Sequence, residues 1–303
     1  MVAGTYKPRQ NGAWGAFSRA PNSSTLDISA PMTLIRSSAL CILALFVACS
    51  LAPAQEGQLV TDPPKGITPQ EILQKFAAKE KQFKEARDNY TYREDVKMQT
   101  LDSDGKTVTG EYREVFDVTF DPQGRHLESV VFAPQNTLVG LLMSPEDLQD
   151  IRHGYPFVLT SDEIGDYNVL YVGQQQEDEL HCYVFDIAPK HLDPKSKQRF
   201  FQGRAWVDDQ DFQIVKVYGK RVPDIRTKHN ENIFPKFTTW REQIDGKYWF
   251  PAYTFTDDTL HFRLGPEVHI RQTIKYTDYQ RFGSKTTITY GDDQKQPAGE
   301  KPK

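Results

Sequence analysis

Alternating polarity over residues 90–100 and 107–120 constrains the fold of this chain more than any other feature of its 303 residues. In both stretches apolar side chains recur at even positions, and Glu94 is the charged exception in the first. The apolar even positions are Tyr90, Tyr92, Val96, Met98, Val108, Tyr112, Phe116, Val118 and Phe120. Because successive side chains of a strand point to opposite faces, each stretch predicts a strand with one apolar face. The turn sequence Asp102-Ser103-Asp104-Gly105 lies between them, so the pattern predicts an antiparallel hairpin.

The same pattern of strands and turns continues through most of the chain. It predicts a third strand that ends near Phe132, and further strands at about 167–175, 179–187, 202–208, 212–219, 236–244, 247–256, 259–264 and 267–279. A charged loop from Pro223 to Asn232 interrupts this series. The sequence therefore predicts a mainly β chain of about ten or eleven antiparallel strands, in a single domain over residues 68–282.

Two segments carry helix-start signals. Thr68-Pro69-Gln70-Glu71 is a capping box with proline at the first helical position, and it predicts a helix that continues to about Asp88. Ile72, Phe76 and Phe83 fall on one side of this helix, so the helix is expected to lie on another layer. Ser144-Pro145-Glu146-Asp147 begins a second, short helix. Because two helices are few for so many strands, the sheet must either curl over them or leave a cavity. On the pattern alone, both a plainly filled core and a ligand cavity are open.

The N-terminal part of the chain has the layout of an export signal. Met32 is followed by Arg36 and by an uninterrupted apolar run at 39–48, which is too short to span a bilayer as a helix. Ala54 fits the position before a signal-peptidase cut, whereas Cys49 fits a lipoprotein cut less well. We therefore expect a periplasmic protein, with an over-extended start at 1–31, a signal peptide at 32–54, a leader at 55–67 and a loose tail at 283–303.

The cysteine, histidine and charged residues form no catalytic or metal-binding pattern. Cys182 is the one cysteine outside the export signal, and its apolar surroundings favour the role of a small buried hydrophobe. The histidines never occur at ligand spacing, and the pair His261 and His269 would supply too few ligands for zinc. The net charge of −4 gives no support for a nucleic-acid partner. We expect no cofactor, no metal and no enzyme activity. A hydrolase whose catalytic residues are scattered along the sequence is kept as an alternative, behind the two binding functions described below.

Three segments carry motifs of a known family. They are Phe201–Asp208 followed by Phe212–Lys216, with the pattern G-x-x-W-V-D; Trp240–Pro251, which ends in G-x-W-hydrophobic-P; and Ile274–Phe282, with the pattern Y-x-x-Y-x-x-F. These segments resemble the LolA/LolB-like lipoprotein-carrier superfamily, which includes the sensor protein RseB, and the resemblance covers residues 68–282. It implies a strongly curved, half-open antiparallel β-barrel whose concave apolar face is covered by two helices. It also implies a cavity under those helices that holds lipid acyl chains or lipidated proteins.

The resemblance favours a periplasmic carrier that binds its ligand without a covalent step. The expected cavity residues are Tyr92, Val96, Met98, Tyr112, Phe116, Val118, Trp206 and Trp249, and the expected lid residues are Ile72, Phe76 and Phe83. The expected partners are lipid acyl chains or lipoproteins, with at most peripheral contact to a membrane. In the alternative, the chain is an envelope-stress sensor or scaffold that binds a segment of an envelope protein along a sheet edge.

The export signal predicts that protein translated from Met32 reaches the periplasm and loses about two kilodaltons. N-terminal sequencing of the mature protein checks this expectation. A free Gln55 indicates a soluble product and an acylated Cys49 indicates an anchored one, whereas a retained Met1 contradicts both.

Overall fold

The computed structural model describes residues 56–282, except 122, 124, 154, 194–197, 228–230 and 264. The expected start extension, signal peptide and tail lie outside the described residues, as does Gln55 at the start of the leader. The helices of the described part are α1 (Pro69–Arg87) and α2 (Pro145–His153), with a 3-10 turn at Ile164–Asp166. The strands are β1 (Tyr90–Leu101), β2 (Val108–Phe120), β3 (His126–Phe132), β4 (Tyr167–Glu177), β5 (Leu180–Pro189), β6 (Phe200–Asp208), β7 (Ile214–Val222), β8 (Ile225–Arg226), β9 (Glu231–Asn232), β10 (Phe237–Ile244), β11 (Tyr248–Leu260) and β12 (Val268–Arg281).

Ten of these strands form one antiparallel sheet. Their order is β3-β2-β1-β12-β11-β10-β7-β6-β5-β4, so β3 and β4 are its two edges. The sheet is curved and half-open, and it does not close into a barrel. Val96 and Phe116, near one edge, belong to the same buried cluster as Phe185 and Phe201, near the other. The two ends of the sheet therefore curl around one apolar core, and we call the side that faces this core the concave face.

The hairpin predicted from the alternation is confirmed. The register of β1 and β2 pairs Tyr92 with Val118 and Met98 with Tyr112. Side chains at the odd positions lie on the convex face, where Arg113 forms an ion pair with Asp95 across the two strands at 2.8 Å. Residues of even number therefore face the core, as expected from the period of two.

The capping box at the start of α1 is also confirmed. The Thr68 hydroxyl accepts a hydrogen bond from the Glu71 amide at 3.2 Å, and the Thr68 amide donates to the Glu71 carboxylate at 2.8 Å. These two bonds satisfy donors that a helix start otherwise leaves unpaired, so the local sequence sets the first residue of α1. Neither helix in the described part of the chain has the length and apolarity needed to cross a membrane.

Two expectations about strands are wrong in detail. The predicted strands 247–256 and 259–264 form the single strand β11, because Asp257 and Asp258 do not make a turn. Asp257 instead binds Arg271 of β12 at 2.7 Å, and Asp258 accepts from the Lys236 amide at 2.9 Å. The predicted loop 223–232 contains the short β8–β9 ladder. Both aspartates therefore bind groups on neighbouring segments, although aspartate is also common in turns.

The register of β1 and β2 predicts very different effects of a charge at two neighbouring positions. Phe116 is 1% exposed on the concave face, whereas Val115 is half-buried on the convex face. We expect Phe116→Asp to lower the free energy of unfolding by more than about 3 kcal/mol, because it buries an unpaired charge and leaves a void. We expect Val115→Asp to cost about 1 kcal/mol or less. Urea denaturation of both variants measures the difference, and equal losses would contradict the assigned faces.

Candidate ligand-binding face

The six cavity residues predicted on the first hairpin lie together on the concave face. Four are buried and two are half-buried against the same cluster; they are Val96, Met98, Phe116 and Val118, and Tyr92 and Tyr112. Directly opposed side chains of an antiparallel pair share a face, so the hairpin register alone groups them.

Helix α1 covers this face with the predicted lid residues. Ile72, Phe76 and Phe83 are all 0% exposed. The Phe76 ring lies 5.4 Å from that of Phe185 on β5, and the Phe83 ring lies 5.2 Å from that of Phe250 on β11. The helix therefore crosses the concave side from β5 to β11.

A buried ion pair that sequence reasoning missed fixes α1 in place. Glu80 is 0% exposed, and Arg241 of β10 binds it through Nη1–Oε1 at 2.9 Å and Nη2–Oε2 at 3.1 Å. Arg241 also donates to the carbonyls of Ile214 and Phe157. Burial raises the pKa of Glu80, and the guanidinium opposes this shift. Glu80 lies four residues after Phe76, on the apolar side of the helix. This spacing was the sequence signal that Glu80 would be buried and would need a partner of opposite charge.

A second polar cluster attaches α2 to the sheet. Arg152 donates to the Glu114 carboxylate through Nη2 at 2.6 Å and Nε at 3.1 Å, and the Tyr112 hydroxyl donates to the same carboxylate at 2.7 Å. Arg152 also lies 3.7 Å from Glu128 of β3. Because Glu114 occupies an even position of β2, these contacts lie on the core side of the sheet.

Glu94, on the neighbouring strand, has no such partner. It is 1% exposed, and neither carboxylate oxygen has a hydrogen-bond partner among the described residues. Burial raises the pKa of Glu94 well above 4.5, and the charges of Glu128 and Glu114 raise it further, while Arg152 opposes. In the sequence, Glu94 is the charged residue at an even position of the first strand, and this break in the alternation was the signal that a charge would be buried there.

The structure does not bring Trp206 and Trp249 to the concave face. Both pack in a separate cluster with Cys182, on the convex face of the sheet. The chain neighbours Ala205 and Val207 belong to the concave core, so Trp206 must point the other way. Its Nε1 donates to Gln175 at 2.8 Å, and the Nε1 of Trp249 donates to Asp211 at 2.7 Å. The expectation that Trp206 and Trp249 line a cavity together with the hairpin residues is therefore wrong. The reason is that a family motif indicates which residue types recur, and does not indicate which face of the sheet they occupy.

Cys182 is buried in this convex cluster. Burial raises the pKa of its thiol to about 12, and the nearby carboxylates of Asp208 and Glu177 add to the shift. A thiol with this pKa is protonated and unreactive at neutral pH, which agrees with the role of a small hydrophobe.

A groove of about 820 Å³ crosses the convex face beside Trp206. Its floor includes Lys216, whose ammonium lies 4.7 Å from the Trp206 ring and 5.7 Å from the Trp240 ring. Glu177 at 2.7 Å and Glu56 neutralise this buried lysine. The three described tryptophans therefore lie on the face opposite α1.

The pocket at the end of the concave face is small. About 60 Å³ lies between Met98 and Ile270 of the sheet and the covering residue Phe234. Beside it, Leu142 is 97% exposed and Val139 is 57% exposed. Ligand pockets hold roughly 300–1,000 Å³. The sequence pattern was compatible with a filled core and with a ligand cavity. In this structure the concave face is filled.

The histidines have separate partners. The His261 ring lies 2.7 Å from Glu267, and the His269 ring lies 2.6 Å from Asp257. Within the described ranges, no three histidine, cysteine or acidic side chains group as ligands for a metal ion.

Two solved structures illustrate what this chain is similar to. No family model matches the chain, and no curated protein matches it. A LolA superfamily protein from Nitrosomonas europaea is 13% identical, with a TM-score of 0.30, over 72% of this chain and 94% of that one. A DUF1329 family protein from Desulfovibrio piger is 14% identical, with a TM-score of 0.32, over 70% of this chain and 92% of that one.

Stability should depend on pH through Glu94, whose buried carboxyl has no hydrogen-bond partner among the described residues. Because its pKa is raised in the folded state, the folded protein keeps this proton at pH values where the unfolded chain releases it. Stability is therefore lost as the pH rises from about 4.5 through the folded-state pKa. We expect Glu94→Gln to be more stable than the wild type at neutral pH, by about 1–3 kcal/mol.

The test is the free energy of unfolding in urea at several pH values between about 4.5 and 8. The advantage of Glu94→Gln should shrink as the pH falls. Glu85→Gln, which removes an exposed carboxyl from α1, is the matched control. If the difference in unfolding free energy between Glu94→Gln and the wild type stays constant across this pH range, the pKa of Glu94 is not raised by folding.

Proposed function

We propose that this chain is a periplasmic carrier or binding protein for the acyl chains of lipids or lipidated proteins. The ligand would lie between the concave face of the sheet and its covering layer, held by burial of apolar surface alone. The superfamily motifs at Phe201–Lys216, Trp240–Pro251 and Ile274–Phe282 support this proposal, as does the apolar character of the face under α1.

One observation carries the proposal: the cover is a single thin layer at the end of the concave face. Leu141, Leu142 and Met143 all line the pocket there, and Leu142 is 97% exposed to solvent. The only strands of the described part of the chain that line this pocket from outside the ten-stranded sheet belong to the two-residue ladder β8–β9, through Glu231 and Asn232. An acyl chain could therefore replace the side chains of the cover without disturbing the sheet, and binding requires the cover to move outward.

The edge strand β3 favours the alternative function, a scaffold that binds a protein segment. Every residue from His126 to Phe132 is exposed, and β3 pairs with β2 alone. Leu127, Val130, Val131 and Phe132 are each about half exposed. An exposed apolar edge can accept an added strand from another chain.

Acyl binding predicts that affinity rises with chain length. Each additional buried methylene contributes about 0.8 kcal/mol, which is roughly a fourfold gain in affinity, until the opened space is full. Titration of delipidated protein with fatty acids of about 8 to 16 carbons measures this dependence. Calorimetry or displacement of a fluorescent fatty acid is the suitable readout, because Trp206, Trp240 and Trp249 lie on the opposite face.

A matched pair of variants locates the site. Met98→Trp fills the pocket and should weaken binding at least about tenfold, whereas Lys97→Trp, on the other face of β1, should leave it within about twofold. Circular dichroism establishes that both variants are folded. If the folded, delipidated protein shows no saturable binding that depends on chain length, acyl carriage is wrong and the edge-binding scaffold becomes the better account.

A further inference from the structure

A pocket of about 250 Å³ lies where the C-terminal end of α1 meets β6 and β7. Four cationic side chains line it against two carboxylates; they are Lys84, Arg87, Arg199 and Arg221, and Glu163 and Asp166. Lys84 already binds Glu163 at 2.9 Å. The lining is therefore positive in a protein whose net charge is −4, so an anion is the ligand that its charge favours.

Arg199 is buried in this lining with part of its hydrogen-bonding capacity unused. Its side chain is 5% exposed, Nη1 lies 3.1 Å from the Asp150 carboxylate, and Nη2 donates to the Asn232 carbonyl at 3.2 Å. Its Nε has no hydrogen-bond partner among the described residues. A buried donor without an acceptor is costly and rare, and an ion that occupies the site in the cell is one of its recognised explanations.

Arg221 adds a second guanidinium close enough to interact with the first. Burial lowers the pKa of both arginines, and Asp150 opposes this shift in each. At Arg221, Tyr167 also opposes the shift, and the smaller effect of the Arg199 charge adds to it. Two like charges in a partly desolvated pocket repel each other, and an anion between them would remove this repulsion.

We propose that this pocket binds a phosphate group, either as a free phosphate or as the headgroup of a lipid. Guanidinium groups match phosphate oxygens in geometry and form strong charge-assisted hydrogen bonds with them. Arg199 and Arg221 supply the floor of the site, and Arg87 supplies a third cation from the last turn of α1. The phosphate site does not depend on acyl binding, because its lining residues are distinct from those of the concave pocket.

The test is titration of the full chain with inorganic phosphate at neutral pH and constant ionic strength, followed by calorimetry and thermal unfolding. Because added phosphate would otherwise raise the ionic strength and screen charges throughout the protein, constant ionic strength ensures that the signal reports binding to the pocket. We expect saturable binding to one site and a rise in Tm. Arg87→Ala and Arg199→Gln should each weaken binding at least about tenfold.

Lys79→Ala is the matched control, because it removes one exposed cation from the same helix outside the pocket. It should leave the affinity within about twofold of wild type. Arg87→Ala keeps the test valid if Arg199→Gln, which also loses contacts to Asp150 and Asn232, fails to fold. The proposal is overturned if phosphate shows no saturable binding, or if Arg87→Ala and Lys79→Ala lose affinity equally.

Short-chain lipids identify the source of the phosphate. If the site serves a lipid headgroup, dihexanoyl phosphatidic acid should bind at least about ten times more tightly than inorganic phosphate, and dihexanoylglycerol should bind weakly. If it serves free phosphate, the two phosphate compounds should bind alike. Both results support the pocket, and neither bears on acyl binding at the concave face, because the two sets of lining residues are distinct.

Discussion

The buried ion pair between Glu80 and Arg241 is the interaction on which the rest of this structure depends. A half-open sheet cannot hold its curvature by closing on itself, so its shape is maintained by the helix that it wraps. Apolar packing of α1 is non-directional, whereas Arg241 ties the helix at once to β10, to the Ile214 carbonyl of β7 and to the Phe157 carbonyl ahead of β4. Removing one partner would leave a buried charge, at a cost of about 3–5 kcal/mol. The pair therefore fixes both the position and the rotation of α1.

This constraint decides where the concave face can open. The layer that covers the face is also the layer that fills it, so a ligand must compete with the protein's own side chains for the same surface. Displacing α1 would separate Glu80 from Arg241 in a medium that solvates neither. Helix α2 is attached through Arg152 to Glu114, whose side chains are 20% and 8% exposed, and through Asp150 to Arg199. The proposed opening beside Leu142 would leave the Glu80–Arg241 pair in place. Opening at this end leaves the core under α1 intact.

Two buried charged groups beside the apolar core have polar atoms without a hydrogen-bond partner among the described residues. They are the Glu94 carboxylate on the β1–β2 side and the Arg199 Nε beside the end of α1. Each unsatisfied group costs the folded protein stability. Replacement of Glu94 by a neutral side chain would relieve that cost, whereas replacement of Arg199 would also remove its contacts to Asp150 and Asn232. Sites where a fold retains such a cost are commonly functional ones, because the unsatisfied group is available to a ligand.

The sequence by itself determined most of the elements, and the faces of the first hairpin and of α1. A period of two requires opposite faces for neighbouring residues, so Val96, Met98 and Phe116 had to meet on one side, and the capping box at Thr68 had to start a helix. Only the tertiary structure decided what each face meets. Trp206 is compatible with the strand pattern on either face of the sheet. Asp257 could end a strand or bind across it, and its neighbour Arg271 decides which. Glu80 could be a surface charge in the sequence pattern, and its burial depends on Arg241, which lies 161 residues away in sequence. Local patterns fix the direction of a side chain, whereas its partner is brought by the packing of distant strands, which no local pattern encodes.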